Sequence, residues 1–233
     1  MTGTPRLFVV LALLFVAASP FAQGTKQAPA WQEDFDLAAC TMQTTGRNPY
    51  LVLEPGFQLL LEGGGTQLQI TVLDKTTTID GVVTRVVEEK ESKGGKLHEV
   101  TMSYLAICAQ TRDVFYFGED VDNYRDGKVA NHDGSWRAGT KGSKVGLYVP
   151  GSPKPGMKYY REIVPGVSMA RAEIVSLTEA CKTPAGNFSN CMKVRETSAI
   201  DPKASDFKYY APGVGLVSEE GLRLTRYGSI KDK

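Results

Sequence analysis

The chain has 233 residues, with 27 Lys and Arg against 26 Asp and Glu and 42% hydrophobic residues. That is the composition of an ordinary globular protein and excludes a disordered or collagen-like one. A net charge of +1 gives no excess of positive charge to release counterions from a phosphate backbone, so no nucleic-acid partner is expected.

Met1 to Ala22 reads as a secretory signal peptide: one early cation, Arg6, the apolar run Leu7 to Ala18, then Ser19-Pro20-Phe21-Ala22. The run has 12 residues, well short of the roughly 20 that a bilayer-spanning helix needs, so no stable membrane anchor is expected after cleavage. Loss of Arg6 makes the remaining chain formally neutral. Its expected place is periplasmic or extracellular.

The sequence divides into this leader (1–22), an N-terminal segment (23–47) and one β domain (48–229). Trp31 to Thr44 predicts a short helix, with Trp31, Phe35, Leu37, Cys40 and Met42 on a rough apolar face that Gly46 ends. From Asn48 the period changes to two. Thr66 to Leu73 alternates Leu68, Ile70 and Val72 with Gln67, Gln69 and Thr71, the pattern of a half-buried strand. Asp80-Gly81 between Thr76–Ile79 and Val82–Glu89 predicts a hairpin, because a type I′ turn needs positive φ at both central positions. Leu97–Gln110 and the aromatic Val114–Phe117 follow as strands.

Gly139–Gly156 breaks the rhythm, with five Gly and three Pro, and predicts a long ordered loop or an edge segment. Short strands resume at Glu173–Thr178, Phe188–Thr197, Phe207–Tyr210, Val214–Glu219 and Leu222–Tyr227. Strands at near-regular spacing with almost no helix imply an all-β fold, a single antiparallel barrel or sandwich.

The four cysteines, Cys40, Cys108, Cys181 and Cys191, are even in number and form no C-x-x-C, which in an exported chain favours disulfides over a metal site. Cys181 and Cys191 flank Thr183-Pro184-Ala185-Gly186-Asn187. A three-residue loop at Ala185–Asn187 would set them opposite each other, and a two-residue loop would shift that register. Cys40 with Cys108 then follows by elimination.

Several short motifs stand in a characteristic order: Asn48-Pro49-Tyr50 with Pro55-Gly56, Tyr116-Phe117-Gly118-Glu119-Asp120, Gly134-Ser135-Trp136 with Ala138-Gly139, Thr183-Pro184-Ala185-Gly186 with Phe188, and Lys208-Tyr209-Tyr210-Ala211-Pro212-Gly213-Val214-Gly215-Leu216-Val217. Over about Asn48 to Tyr227 the chain resembles a family of uncharacterised secreted bacterial proteins. The resemblance implies an exported β-rich domain and carries no catalytic residues with it.

Three candidate sites emerge. Asp113 to Asp133 holds six carboxylates against Arg125 and Lys128, and Glu119, Asp120, Asp122 and Asp126 are the oxygen ligands a hard cation such as Ca²⁺ would choose. The bland alternative is that Asp126-Gly127 is a hairpin turn and the others are solvated. His132, beside Asp133, is a candidate general base, although His98 is the chain's other histidine and no third nitrogen ligand exists for zinc. Tyr116, Tyr124, His132, Trp136 and Tyr148 are candidate lining for an apolar ligand in a curved sheet. Lys141, Lys144, Lys154, Lys158 and Arg161 follow the acidic stretch and form a basic counterpart to it.

No G-x-S-x-G, H-E-x-x-H or P-loop is present, and no cofactor is expected apart from calcium as a candidate. The pattern favours a non-enzymatic exported protein that binds a small apolar molecule or a cell-envelope component. An envelope hydrolase or metal-dependent enzyme and a calcium-stabilised structural or interaction domain are the alternatives.

Overall fold

A computed structural model describes Met1 and residues 30–230. The expected leader and its cleavage site lie outside the described residues. Among the described residues seventeen strands run in chain order: β1 Met42–Gln43, β2 Gly46–Asn48, β3 Leu51–Leu53, β4 Phe57–Gly63, β5 Thr66–Ile79, β6 Val82–Lys93, β7 Lys96–Cys108, β8 Val114–Arg125, β9 Lys128–Asn131, β10 Trp136–Arg137, β11 Gly146–Val149, β12 Lys158–Tyr160, β13 Ala170–Thr183, β14 Gly186–Ser198, β15 Ser205–Ala211, β16 Gly215–Glu219 and β17 Leu222–Ser229.

The architecture is the expected all-β, antiparallel one. Fifteen strands form one sheet whose main path is β10-β8-β7-β6-β5-β4-β17-β16-β15-β14-β13-β12, with β1 added to β7 and with β9 and β11 added to β8. A separate hairpin, β2–β3, joins Gly46–Asn48 to Leu51–Leu53. The sheet folds over on itself like a sandwich. Its ends approach at one antiparallel bridge, where Lys144 N–H donates to the Ile163 carbonyl at 2.9 Å. No ladder joins β11 to β12, so the barrel is not closed.

Local chemistry explains most of the register. Asp80 and Gly81 adopt φ of 47° and 78° and leave Ile79 facing Val82, the two-residue turn that matches strand twist. Asp126 and Gly127 do the same, with φ of 53° and 74°, between Arg125 and Lys128. The predicted strands Thr66–Leu73 and Thr76–Ile79 are one strand, β5, with a register shift between Val72 and Thr76.

The helix expected over Trp31–Thr44 does not form. Among the described residues the helical element is a 3₁₀ turn, Leu37–Ala39, capped by the Asp36 side chain. The apolar residues of this segment have separate partners instead of one shared face. Trp31 meets Tyr160 edge-on at 6.4 Å and Phe35 meets Phe115 at 5.8 Å. Gln32 bridges to Tyr159 in parallel. Met42 pairs with Cys108 on β7. A segment this short is a marginal helix alone, so tertiary partners decide its shape.

Both cysteine pairs form, Cys40 with Cys108 and Cys181 with Cys191, at Cα separations of 5.1 and 6.4 Å that suit a disulfide. The three-residue turn is corrected to a two-residue one: Thr183 faces Gly186, and Cys181 faces Phe188. One extra residue on β14, marked by Asn190 at φ 56°, shifts the ladder so that Glu179 faces Cys191. That bulge returns Cys191 to the face of Cys181.

Gly139–Gly156 is largely loop, as its composition predicts, but it contributes β11 to the β8 edge. Gly146 is required there. A Cβ at this position would fall on the Arg161 carbonyl oxygen, so glycine lets β11 approach the segment after β12.

Candidate functional site

Antiparallel pairing carries one set of side chains into the fold of the sheet. Val87 and Glu89 on β6 face Ser103 and Thr101 on β7, and Ser103 faces Glu119 on β8. From the other side, Val194 and Glu196 on β14 face Lys208 and Asp206 on β15, and Met192 faces Tyr210. Period-two alternation makes each strand deliver a graded column, apolar at one level and ionisable at the next.

At the apolar level lies a pocket of about 60 Å³ walled by Leu59, Val72, Val87, Leu105 and Leu216, with Tyr50 of the β2–β3 connection also on it. Glu89, Tyr148, Lys208, Tyr210 and Glu219 also line it. Gly215, at φ 119°, belongs to it too. The void exceeds what one water needs and falls well below the ~300–1,000 Å³ of sites for drug-sized ligands. A short chain end fits this space; a bulky ring system does not.

Next to the pocket runs an ion chain. Arg161, 7% exposed, contacts Glu196 directly, and the Lys208 ammonium reaches Glu196 at 3.3 Å and Glu219 at 2.8 Å. Burial works against each charge, yet the pairing wins. Arg161 and Lys208 are held well above their ordinary values by Glu196, and Glu196 is held below its own by Arg161 and Lys208. The Arg161 guanidinium also lies 4.3 Å from the centre of the Tyr148 ring, a cation–π contact.

Tyr148, Tyr116 and Trp136 form an edge-to-face row, with centroid separations of 5.2 and 5.3 Å. The Tyr116 hydroxyl lies 3.1 Å from that of Ser103 and donates to Glu119 at 2.5 Å. Burial first, then the nearby Glu162, pushes the Glu119 carboxyl up to about 8, against the pull of the Tyr116 hydrogen bond. Glu89 is raised as well, mainly by desolvation, with Lys208 and Arg161 opposing and Glu219 and Glu99 adding to the shift.

Of the sequence-predicted ligand residues, the structure brings together Tyr116, Trp136 and Tyr148, and Tyr148 lines the pocket. The others lie elsewhere. Tyr124 is half-buried near the hairpin end of β8, opposite Val129. His132 is exposed, pairs with Asp122 at 2.8 Å and meets the Val121 carbonyl at 3.2 Å.

The acidic stretch is a strand and a turn instead of a cation-binding loop. Alternation along β8 turns Glu119 to one face and Asp120 and Asp122 to the other. Asp120 binds the Tyr104 hydroxyl at 2.5 Å and Arg137 at 2.6 Å, while Asp126 occupies the turn. Glu119, Asp120, Asp122 and Asp126 therefore do not converge, and no group of three or more His, Cys, Asp or Glu side chains fit to hold a metal occurs among the described residues. The basic residues that follow do not face this stretch either: Lys144 pairs with Asp34, Lys158 with Glu173 and Arg161 with Glu196.

Sequence reasoning missed Glu89, Glu196, Lys208 and Glu219. Each sits in a strand at an inward position, where the pattern favours an apolar residue, and that violation was the available signal. Comparisons with family models, curated proteins and solved structures find no match for the chain.

Proposed function

We propose that this protein is a non-enzymatic binding module of the cell envelope, whose interior pocket takes the apolar end of a small molecule. The observation that carries the reading is the pocket itself, an apolar space left between side chains beside a paired and buried ion chain. A core built for stability alone would close such a void, since unfilled volume costs packing energy, and would hold apolar residues where Arg161, Glu196 and Lys208 stand. The two disulfides indicate a non-cytoplasmic protein. No helix among the described residues is long and apolar enough to cross a membrane. Export through the leader at 1–22, to the periplasm or beyond, accords with both.

Isothermal titration with short-chain alkyl probes tests this reading. Octanol should bind the wild type, and Val87→Phe, which fills the space, should abolish binding while the protein still melts cooperatively. Equal binding by both forms would refute the site.

One observation favours an enzyme instead: Glu119, with a carboxyl near 8, has the perturbed protonation of a general acid. Hydrolysis of an envelope substrate that Glu119→Gln eliminates would establish that alternative.

A further inference from the structure

The polar groups on the pocket wall are not equivalent. Lys208 is committed to Glu196 and Glu219, and Arg161 to Glu196. Glu89, on the wall itself, has no cation within ion-pair distance among the described residues. Among the described residues its side-chain hydrogen bond comes from the Tyr148 hydroxyl at 3.5 Å, the outer limit of a hydrogen bond.

The charges facing Glu89 from every packed element are unbalanced. Glu99 on β7 and Glu219 on β16 join it, against Arg161 and Lys208, and both cations are already engaged by Glu196 and Glu219. A protein that buries charge normally matches it. Here the carboxylate on the apolar pocket wall that lacks an ion-pair partner among the described residues is Glu89.

We propose that the occupant of the pocket is a basic amphiphile, whose short apolar end lies among Leu59, Val72, Val87 and Leu105 and whose protonated amine pairs with Glu89. The proposal rests on the reading of the pocket as a binding site and names its ligand class. A charged amine supplies what the interior lacks, one cation beside an unpaired acceptor, and a hydrogen bond to an ionised group is stronger than a neutral one. An anionic amphiphile meets the reverse. To reach a cation it must displace Glu196 or Glu219 from Arg161 or Lys208, leaving another carboxylate buried and unpaired.

Isothermal titration of the full-length protein with octylamine, octanoate and octanol, below their aggregation limits and near neutral pH, separates the possibilities. Octylamine should bind at least about tenfold tighter than octanoate, the size of one charge-assisted contact. Glu89→Gln should erase that preference. Octanoate binding as tightly as octylamine in the wild type overturns the proposal, and so does an amine preference that survives in Glu89→Gln. If that variant fails to melt cooperatively, the wild-type ratio of amine to carboxylate decides alone. Octanol that still binds while the amine preference is missing leaves the pocket standing and removes only the head-group assignment. No binding by any of the three probes removes both.

Discussion

Arg161 and Glu196 meet in direct contact within the folded sheet, the arginine 7% exposed and the glutamate side chain 18% exposed. They come from distant parts of the chain, one beyond the edge strand β12 and the other on the long strand β14. Their meeting point is shared with Lys208, so one carboxylate serves two cations.

Breaking this arrangement from one side should be severe. Glu196→Leu leaves Arg161 without its carboxylate and Lys208 with Glu219 alone, and loss of one partner of a buried pair costs about 3–5 kcal/mol. Arg161→Met combined with Glu196→Leu should cost less than the sum of the two single changes. Urea denaturation of the three variants measures this; strict additivity would show that the pair is not coupled.

The interior carboxylates set the pH response. The folded protein holds a proton on Glu119 up to about 8, whereas the unfolded chain releases it near the ordinary value of 4.5. This contribution to stability is therefore complete below the unfolded value and is lost as pH rises through the folded one. Glu89, also raised, acts in the same direction. Glu196, held low, acts oppositely and is lost only in acid. Melting temperature should fall as pH rises from about 5 to about 9, and Glu119→Gln should flatten the slope. A slope unchanged in that variant would contradict the assignment.

The two disulfides should differ in weight. Cys40–Cys108 spans 68 residues and Cys181–Cys191 spans 10. Chain-entropy arguments then assign about 4 and about 3 kcal/mol respectively. Replacing Cys40 and Cys108 by alanine should lower the denaturation midpoint more than replacing Cys181 and Cys191. The first pair also fastens the segment that carries Gln32 to the edge strand β12 and Phe35 to β8, so its loss should release residues 30–40 to proteolysis. The reverse order would show that the shorter loop restrains more of the fold.

Gly146→Ala tests the seam where the sheet's ends approach. The added methyl would meet the Arg161 carbonyl oxygen, backbone that can move only by parting β11 from its neighbour. Overpacking of this kind costs about 1–3 kcal/mol, and the shift should also weaken ligand binding, because Tyr148 on β11 stacks with Arg161.

The strands and tight turns were legible because they depend on near neighbours. Asp80-Gly81 specifies positive φ within two residues, and Leu68, Ile70 and Val72 state their face by alternation. The N-terminal segment was not legible. Trp31, Phe35 and Cys40 look like a helix face, yet each is taken by a different distant strand. The acidic stretch misled for the opposite reason: closeness in sequence suggested convergence, whereas the strand period of β8 separates Glu119 from Asp120 and Asp122. Tyr148 and Trp136 stood out as aromatics, but Glu89 and Lys208 become site residues only through pairings across β6, β14, β15 and β16, which local pattern does not encode.

The most direct test of the account is native mass spectrometry of the protein purified from its own host's envelope fraction, wild type beside Val87→Phe. The account predicts a non-covalently bound small molecule on the wild type, released on denaturation and absent from the variant. Bare protein in both samples, or the same adduct on both, would contradict it.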